Sequence, residues 1–382
     1  MKKIAILGGT FDPPHNEHIK MAENAVKELN LDKLFVVPDY IPPHKTDKII
    51  TESFDRLNMC RLAFAGKDKI DVSSYETDKK DKSYTYITIG HFAELYGDAE
   101  IYFILGTDML DNFRFWSYPE KILEKCEIAL IRRDGEIIKN RDAVREFEEK
   151  FKRKVKILDY VGKDLSSTKI RIYKELNLEI SSFVTESVKN YISEKNLYPK
   201  DKLFKYISEK LPENRRIHTA GVILTALRYN KILNLDEYKV ITAALLHDCA
   251  KYENYENFKG FTLPDNNVPK PVIHQYLGAY IAKHVLDIND EDVLNAIMWH
   301  TTGKAAMTKM EKLIYLSDLI EPSRTFDGVD KIREAADENF ESGFVFGLNE
   351  INKFLIKNNK PSDVYYRTRE ALDYYNKNEE KK

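Results

Sequence analysis

Residues 3–29, KIAILGGTFDPPHNEHIKMAENAVKEL, join a short apolar run to a helical pattern through a glycine-rich turn. The apolar run is typical of a buried strand, and apolar residues then recur at helical spacing from Ile19 to Leu29. Gly8 and Gly9 allow the turn to bend tightly and to lie close to a ligand. Strand, turn and helix in this order predict the first unit of a parallel α/β sheet, in which ligands bind at the carboxyl ends of the strands.

The rest of the chain divides into two patterns near Pro199. Before it, short apolar runs alternate with helical segments, and we expect a helix at 55–65 and strands at 34–37, 101–105 and 155–158. From Asp201 onward no convincing strand is found and helical periodicity dominates. The sequence therefore predicts two domains, a doubly wound, Rossmann-like parallel α/β sheet over residues 1–199 and an all-α helical bundle over residues 200–382.

Composition narrows the classes of molecule that the chain is expected to bind. The chain has 382 residues, 60 basic and 62 acidic side chains and a net charge of −2. It lacks the basic excess that favours nonspecific binding to nucleic acid or membranes, so neither partner is expected. Three cysteines, far apart, suggest neither a disulfide framework nor a zinc knuckle. Without a signal peptide or a run of ~18 apolar residues, the sequence predicts a cytoplasmic protein, and a homo-oligomer stays open.

Two histidines stand three residues apart where the first helix begins. The free amides of a helix start attract anions. Imidazoles at His15 and His18 can hydrogen-bond a triphosphate there and stabilise the charge that develops in nucleotidyl transfer. A lone H-x-x-H is more often incidental than functional, but the whole string of residues 8–18, GGTFDPPHNEH, is much more specific.

This string resembles the signature of the HIGH-type nucleotidyltransferases, and specifically of bacterial nicotinate-nucleotide adenylyltransferases. Further strings support the resemblance in chain order, namely Val37-Pro38, Pro42-Pro43-His44-Lys45, Ser83-Tyr84-Thr85, Leu105-Gly106-Thr107-Asp108, Phe113 with Trp116, and Ser166-Ser167-Thr168-Lys169-Ile170-Arg171. That family joins ATP to nicotinate mononucleotide, releases pyrophosphate and forms the dinucleotide precursor of NAD. The resemblance implies the same reaction here, with Mg²⁺ accompanying ATP.

The resemblance also implies roles for individual residues. It gives catalytic roles to His15, His18, Lys45 and Arg171. It implies that ATP is bound by Gly8, Gly9, Thr10, Phe11, His15, His18, Gly106, Asp108, Ser166, Ser167, Thr168 and Arg171. It implies that nicotinate mononucleotide is bound by Asp12, Lys45, Tyr84, Thr85 and Trp116. The residue types suit these roles, because cationic side chains hold phosphate oxygens and a flat indole suits a pyridine ring. Alone, Trp116 would as readily be a core residue, and Ser-Ser-Thr a helix cap.

Two positions of the first half depart from the family pattern: Asp81 stands where glycine is usual before Ser-Tyr-Thr, and Glu17 is the other. Glycine is usual just before the second histidine, where this chain has Glu17. A carboxylate beside a triphosphate would repel it unless the side chain points away or meets Mg²⁺ or lysine. On the hypothesis that Glu17 is inhibitory, Glu17→Gly should raise adenylyl transfer. Two alternatives also stay open: another acceptor such as pantetheine phosphate, and a nucleotide-sensing half without turnover.

The second half carries histidines and aspartates on successive helical segments. Any one of them is more often a core or surface group than a ligand, but the set is harder to dismiss: His218, His247, Asp248, His274, His300 and Asp318. The adjacent His247 and Asp248 follow an apolar run, and together they can bind one metal while the carboxylate bridges to a second. Two metals ~3.5–4 Å apart can activate a water and neutralise phosphate charge.

The string AALLHDCAK, residues 243–251, is the signature of HD domains. Strings around the other histidines resemble one branch of them, the bacterial symmetrical diadenosine-tetraphosphate hydrolases, which implies cleavage into two ADP by a di-iron centre. The resemblance makes the six residues above the metal ligands and Asp248 and Lys251 catalytic, and it assigns phosphate contacts to Arg216, Lys251, Thr301 and Arg324. Guanosine tetraphosphate or a deoxynucleotide triphosphate stays open as an alternative substrate.

Overall fold

The computed structural model describes residues 1–41, 50–133, 137–358 and 364–379. By their internal packing the residues fall into two units. One comprises Met1–Arg171 and Glu179–Pro199, and the other comprises Ile172–Leu178 and Lys200–Lys382. None of the described helices is long and apolar enough to cross a membrane.

The first unit is built on a parallel sheet. Among the described residues it has six strands in the order β3-β2-β1-β4-β5-β6, and every neighbouring pair is parallel. The strands are β1 (Lys3–Gly9), β2 (Lys33–Pro38), β3 (Ile70–Val72), β4 (Glu100–Gly106), β5 (Glu127–Arg133) and β6 (Val155–Gly162). The strand order reverses between β1 and β4, so the loops that follow these two strands border the crevice where such sheets bind ligands. The predicted doubly wound fold is confirmed.

Nine helices and one 3₁₀ turn accompany the sheet in the described ranges. They are α1 (Asn16–Glu28), α2 (Ser53–Ala63), α3 (Tyr75–Lys79), α4 (Thr85–Tyr96), α5 (Thr107–Asn112), the 3₁₀ turn Phe113–Phe115, α6 (Pro119–Leu123), α7 (Ile137–Phe151), α8 (Ser167–Glu175) and α9 (Glu186–Glu194). A core on one side of the sheet joins Ile4 of β1, Phe103 of β4 and Phe147 of α7. Packing of apolar residues from the strands and the helices therefore fixes the positions of the loops that follow the strands.

Every regular element described in the second unit is a helix. Besides two 3₁₀ turns it contains α10 (Lys202–Lys210), α11 (Glu213–Leu233), α12 (Glu237–Leu246), α13 (Ile273–His284), α14 (Glu291–Trp299), α15 (Lys309–Ile320), α16 (Val329–Glu338), α17 (Phe340–Asn358) and α18 (Tyr366–Glu379). Residues 218–223 of α11 are buried in succession, which is typical of a helix that is covered on several sides. A single core cluster contains side chains from α10 to α18. The helical bundle expected from the sequence is confirmed.

Candidate functional sites

The turn after β1 lies at the crevice of the sheet. Gly8 and Gly9 end β1, and Gly106 ends the neighbouring strand β4. A Cβ atom on Gly9 would lie 3.2 Å from the ring of Phe11, so that ring would have to shift. Phe11 itself has a φ of 50°, which is uncommon for a residue other than glycine. This turn places the Phe11 ring edge against His18, with ring centroids 4.9 Å apart.

The two predicted histidines form the start of α1. His15 caps the helix, its Nδ1 accepting the backbone N–H of His18 at 3.4 Å, while the His18 Nδ1 accepts the backbone N–H of His15 at 3.2 Å. Their rings stack with centroids 3.6 Å apart. Because both Nδ1 atoms are acceptors, the neutral rings carry their protons on Nε2. Two Nε2–H donors side by side suit phosphate oxygens.

The start of α8 meets the same turn. The Ser167 hydroxyl donates to the carbonyl of Pro13 at 2.8 Å, and the Arg171 guanidinium donates to the carbonyl of Asp12 at 2.7 Å and to the Thr168 hydroxyl at 3.2 Å. Ser166 serves as the helix cap, accepting the backbone N–H of Lys169 at 3.2 Å. Strings about 150 residues apart in sequence are therefore joined at one place in the first unit.

A buried arginine that the sequence analysis missed holds this place together. The Arg56 guanidinium is 1% exposed and donates to the carbonyls of Thr51, Thr10 and Tyr40 at 2.8, 2.7 and 2.9 Å. It also pairs with the Asp39 carboxylate at 2.9 Å, which in turn accepts the Thr10 hydroxyl at 2.9 Å. Arg56 thereby links the turn after β1 to the end of β2. A lone arginine in the predicted helix gave no signal of this, since such residues usually face solvent.

The residues predicted for nicotinate mononucleotide fall into three groups. Asp12 is buried, where its carboxylate accepts the Tyr198 hydroxyl at 2.7 Å and the backbone N–H of Thr51 at 3.4 Å. Tyr84 and Thr85 stand at the start of α4, and the half-buried Trp116 packs on two phenylalanines at centroid distances of 5.2 and 6.0 Å. Lys45 lies outside the described residues, as does the side chain of Asp108, which was predicted for ATP.

Glu17 is not an isolated negative charge beside the histidines. Its carboxylate is buried and pairs with Lys20 at 2.9 Å, while its other oxygen accepts the Tyr160 hydroxyl at 2.7 Å and the Lys163 backbone N–H at 3.0 Å. Burial raises the pKa of Glu17, but the hydrogen bonds from Tyr160, Lys20 and Lys163 outweigh it and lower the pKa overall. The side chain is therefore an ionised carboxylate with its own partners.

The second unit gathers the six predicted metal ligands into one buried cluster. Ligand atoms of His218, His247 and Asp248 lie within 4.8 Å of one another, and so do those of Asp248, His274 and His300. Asp248 belongs to both groups, as expected of a bridging carboxylate. Asp318 joins the first group, with its carboxylate 3.0 Å from the His218 Nε2 and 3.8 Å from the His247 Nε2.

Outer partners orient three of these histidines in the same way. The Nδ1 of His247 lies 2.7 Å from the carbonyl of Ala244, and the Nδ1 of His300 lies 2.7 Å from the carbonyl of Ile297. The Nδ1 of His218 lies 2.9 Å from the buried carboxylate of Glu321. These acceptors hold the proton on Nδ1, so the Nε2 lone pairs face the cluster, as in metal-binding histidines.

The distances between the Nε2 atoms fit a cation. The Nε2 atoms of His218 and His247 are 3.2 Å apart, and those of His274 and His300 are 3.1 Å apart. Lone pairs this close repel each other unless a proton or a metal ion lies between them. Burial lowers the pKa of His247 to about 3, whereas at His218 the hydrogen bonds with Asp318 and Glu321 outweigh burial and raise the pKa, so without a metal a proton would lie on His218. Imidazole and carboxylate together are a donor set that suits divalent transition metals.

The two aspartates of the cluster are held in their ionised form. Burial raises the pKa of Asp248, but its contacts with His247, His274 and His300 outweigh burial and lower the pKa well below its ordinary value. For Asp318 burial is likewise outweighed, chiefly by its contact with His218, and its pKa is also far below the ordinary range. Two anionic carboxylates in this cluster need a positive partner, which is either a proton on a histidine or a bound cation.

Cationic and hydroxyl side chains border this cluster. Lys251 lies 3.4 Å from the Asp248 carboxylate, the Thr301 hydroxyl lies 3.0 Å from the His300 Nε2, and Arg324 donates to the Asp318 carboxylate. The fourth residue expected to contact phosphate lies elsewhere in the unit, because Arg216 donates to the carbonyls of Leu176 and Asn177 at 2.7 and 2.8 Å. Its neighbour Arg215 lies 3.1 Å from the Asp248 carboxylate instead.

Sequence reasoning also missed two neutral or acidic supports. Glu321 orients His218, whose Nδ1 lies 2.9 Å from the carboxylate. Gln275, fully buried, accepts the backbone N–H groups of Thr301 and Thr302 at 3.3 and 3.2 Å and so fixes the turn after His300. Both supports act across more than 20 residues of sequence, where no spacing rule connects them.

Comparisons with known proteins cover both parts of the chain. Residues 6–172 match the cytidylyltransferase-like family model, and residues 215–323 match the HD domain model. A Clostridium tetani protein called probable nicotinate-nucleotide adenylyltransferase is 39% identical over 202 residues, which are 52% of this chain and 100% of that protein. A Mycoplasma genitalium protein called probable nicotinate-nucleotide adenylyltransferase/Ap4A hydrolase is 27% identical over 93% of this chain and 99% of its own length.

Among solved structures, a Clostridium acetobutylicum protein described as an HD superfamily hydrolase involved in NAD metabolism is 39% identical; it covers 46% of this chain and 95% of its own, with a TM-score of 0.42. The relative from Clostridium tetani is matched along its entire length. The chain therefore belongs to the nicotinate-nucleotide adenylyltransferase family, and its second half carries an HD domain.

Proposed function

We propose that the chain has two activities, adenylyl transfer from ATP to nicotinate mononucleotide in residues 1–199 and symmetrical hydrolysis of diadenosine tetraphosphate to two ADP in residues 200–382. The observation that carries both is the relative named for this pair of activities, which aligns with 93% of the chain. The geometry of each unit supports its own half of the proposal.

In the first reaction a phosphate oxygen of nicotinate mononucleotide attacks the α-phosphorus of ATP, and pyrophosphate leaves. The Nε2–H groups of His15 and His18 would donate to phosphate oxygens, where they stabilise the charge that builds up during transfer. Arg171, with Ser167 and Thr168 beside it, would hold the triphosphate against the histidines. Mg²⁺ bound to ATP would neutralise part of the phosphate charge. For binding of the acceptor, nicotinate mononucleotide, we propose Asp12, Lys45, Tyr84, Thr85 and Trp116. For binding of ATP we also propose Asp108.

The test of the first activity is formation of nicotinate adenine dinucleotide and pyrophosphate from ATP and nicotinate mononucleotide. His18→Ala should lower the rate about 10²–10³-fold, the usual cost of one donor to a developing charge. His91→Ala is a matched control, because that ring stacks on Tyr75 with centroids 3.8 Å apart and does not belong to the turn. Transfer to pantetheine phosphate alone, or ATP binding without turnover, would refute the proposal.

In the second reaction the buried cluster would hold two metal ions, with His218, His247, Asp248 and Asp318 around one and Asp248, His274 and His300 around the other. When bound, such a pair activates a water and neutralises phosphate charge. Iron is the metal we propose, since imidazole and carboxylate ligands suit it. Lys251, Arg324 and Thr301 lie at the border of the cluster, where they would hold the tetraphosphate chain in place.

Arg216 is assigned no phosphate in this proposal, and Arg215 takes that role because it is the arginine that reaches the Asp248 carboxylate.

The test of the second activity is analysis of the products of diadenosine tetraphosphate by chromatography. ADP as sole product, lost in His247→Ala together with bound metal, supports symmetrical hydrolysis at this site. His284→Ala is the control, an exposed histidine of the same unit. AMP with ATP as products, or no reaction with metal bound, would overturn the assignment.

A further inference from the structure

The carboxylate of Glu17 connects the histidine helix to the last strand of the sheet. It stands on α1 between His15 and His18 and is 4% exposed. One oxygen accepts both the Tyr160 hydroxyl, at 2.7 Å, and the backbone N–H of Lys163, at 3.0 Å. Tyr160 belongs to β6 and Lys163 is the first residue after it, so the bonds fix the point where the chain leaves the sheet.

That point determines where the start of α8 lies. Only three residues separate Lys163 from Ser167, the first residue of α8, whose hydroxyl donates to the turn after β1. β6 itself is an outer strand of the sheet, and its pairing with β5 changes register between Leu130 and Arg132. An edge strand with a break in its ladder has fewer backbone bonds to hold its end in place.

A second carboxylate of α1 holds the same strand. Glu28, at the other end of the helix, accepts the backbone N–H groups of Asp159 and Tyr160 at 2.6 and 3.0 Å. The irregular part of β6 is thus bonded to α1 at both ends of that helix. Glu28 supports the middle of the strand, while Glu17 alone reaches the residue that opens the loop to α8.

We propose that Glu17 is a positioning residue for adenylyl transfer: it holds the Lys163–Ser166 loop so that Ser167, Thr168 and Arg171 lie opposite His15 and His18. This inference rests on the proposed function of the first unit. It reverses the expectation that a carboxylate here is inhibitory, because Lys20 lies 2.9 Å from Glu17 and balances its charge. Where glycine is usual in the family, this chain has the carboxylate of Glu17, which is held in place and whose charge is balanced by Lys20.

Kinetics test the proposal through the substrate that the loop serves. Glu17→Gly should raise the KM for ATP on the order of tenfold, the usual cost of losing one or two hydrogen bonds to a charged group, while the KM for nicotinate mononucleotide changes less than about twofold. Glu17→Gln, which keeps an acceptor but loses the charge, should fall between. Glu23→Gln is the matched control, since Glu23 lies on the same helix but pairs with Lys67 at the surface, at 2.7 Å.

Hydrogen exchange separates positioning from simple loss of an interaction with ATP. The Lys163 amide should exchange faster in Glu17→Gly than in wild type without any nucleotide, and at an unchanged rate in Glu23→Gln. A wild-type protein that makes no dinucleotide would refute the proposed function, and the exchange measurement would still test the link. An active wild type with equal or faster turnover in Glu17→Gly and unchanged exchange would overturn the positioning role. If Glu17→Gly does not fold, Glu17→Gln carries both measurements.

Discussion

At the scale of single residues, Arg56 shows how much one buried cation organises. A guanidinium removed from water is costly unless each of its donors finds an acceptor, and here three carbonyls and one carboxylate supply them. The acceptors belong to the turn after β1, to the residues just after β2 and to Thr51, two residues before α2. Because the donors of Arg56 are satisfied only when these three chain segments are correctly placed, its burial favours one arrangement of them around the crevice.

Replacing this arginine tests that role. Arg56→Lys keeps the charge, but a single ammonium cannot reach four acceptors, and the Asp39 carboxylate would lose a buried partner. We expect the free energy of unfolding to fall by about 3–5 kcal/mol, as for other broken buried ion pairs. Urea titration measures it, and Arg61→Lys, at an exposed position of the same helix, is the control. Equal stability of the two variants would show that Arg56 is not structural.

Glu17 carries a prediction about pH. Hydrogen bonds lower its pKa in the folded protein below the ordinary value of 4.5 despite its burial, so ionised Glu17 stabilises the fold above that value. This contribution is lost as the pH falls through the folded pKa. The difference in unfolding free energy between wild type and Glu17→Gln should therefore be largest near neutral pH and shrink below pH 4.5. A difference that stays constant across the range would mean that the carboxylate charge does not contribute.

The site residues that the sequence could not predict are identified only by the way the helices pack. His247 and Asp248 are adjacent, and their chemistry can be recognised from a short string. Arg215 and Arg216 are adjacent too, but consecutive residues of a helix point about 100° apart, and only the packing of α11 decides which one reaches Asp248. Glu321 meets His218 across 103 residues, a pairing that only the bundle creates.

At the scale of elements, helix α11 presents one functional face. Arg215, His218 and Gly221 follow one another at intervals of three residues, so they lie along the same side of the helix. The carboxylate of Glu321 occupies the space over Gly221, where a Cβ atom would overlap it. A glycine is required here by close approach, because its missing side chain leaves room for the group that orients His218.

Gly221→Ala should therefore weaken metal binding without touching a ligand. The added methyl displaces Glu321 from the His218 Nδ1, and loss of such outer partners typically lowers metal affinity about 10–100-fold. Competition with a chromophoric chelator measures the affinity. Gly90→Ala is the control, since a Cβ there meets nothing within 4 Å and alanine favours helices. Metal affinity equal to that of wild type in Gly221→Ala would show that Glu321 does not orient the ligand.

Periodicity predicted the elements better than their ends. The expected strands 34–37, 101–105 and 155–158 each lie within an observed strand, and in the first two the apolar residues are buried. β3 has only three residues and gave no strong signal, whereas the prediction missed β5 although four buried apolar residues, 128–131, form its centre. β6 runs on to Gly162 past a change of register, which depends on Glu28 and not on its own sequence.

At the scale of the whole molecule, two sites serve polyphosphate ligands in a chain of net charge −2. Each unit has its own core and its own chemistry, histidine donors and arginine in one and a metal cluster in the other. Phosphate recognition therefore depends on local groups and not on a general positive field. Because the two sites use different groups, we expect that each activity can be abolished while the other remains.

Metal removal tests this independence. A chelator followed by dialysis and addition of Mg²⁺ should leave adenylyl transfer intact, since Mg²⁺ enters with ATP, whereas diadenosine tetraphosphate hydrolysis should return only with a transition metal, because imidazole ligands suit such metals and Mg²⁺ prefers oxygen. His18→Ala should give the reverse pattern, with hydrolysis unchanged and transfer reduced. If Mg²⁺ alone restores hydrolysis, the histidine cluster is not the site of that reaction. If loss of the transition metal also slows transfer, the two activities are coupled, and the separate cores do not insulate them.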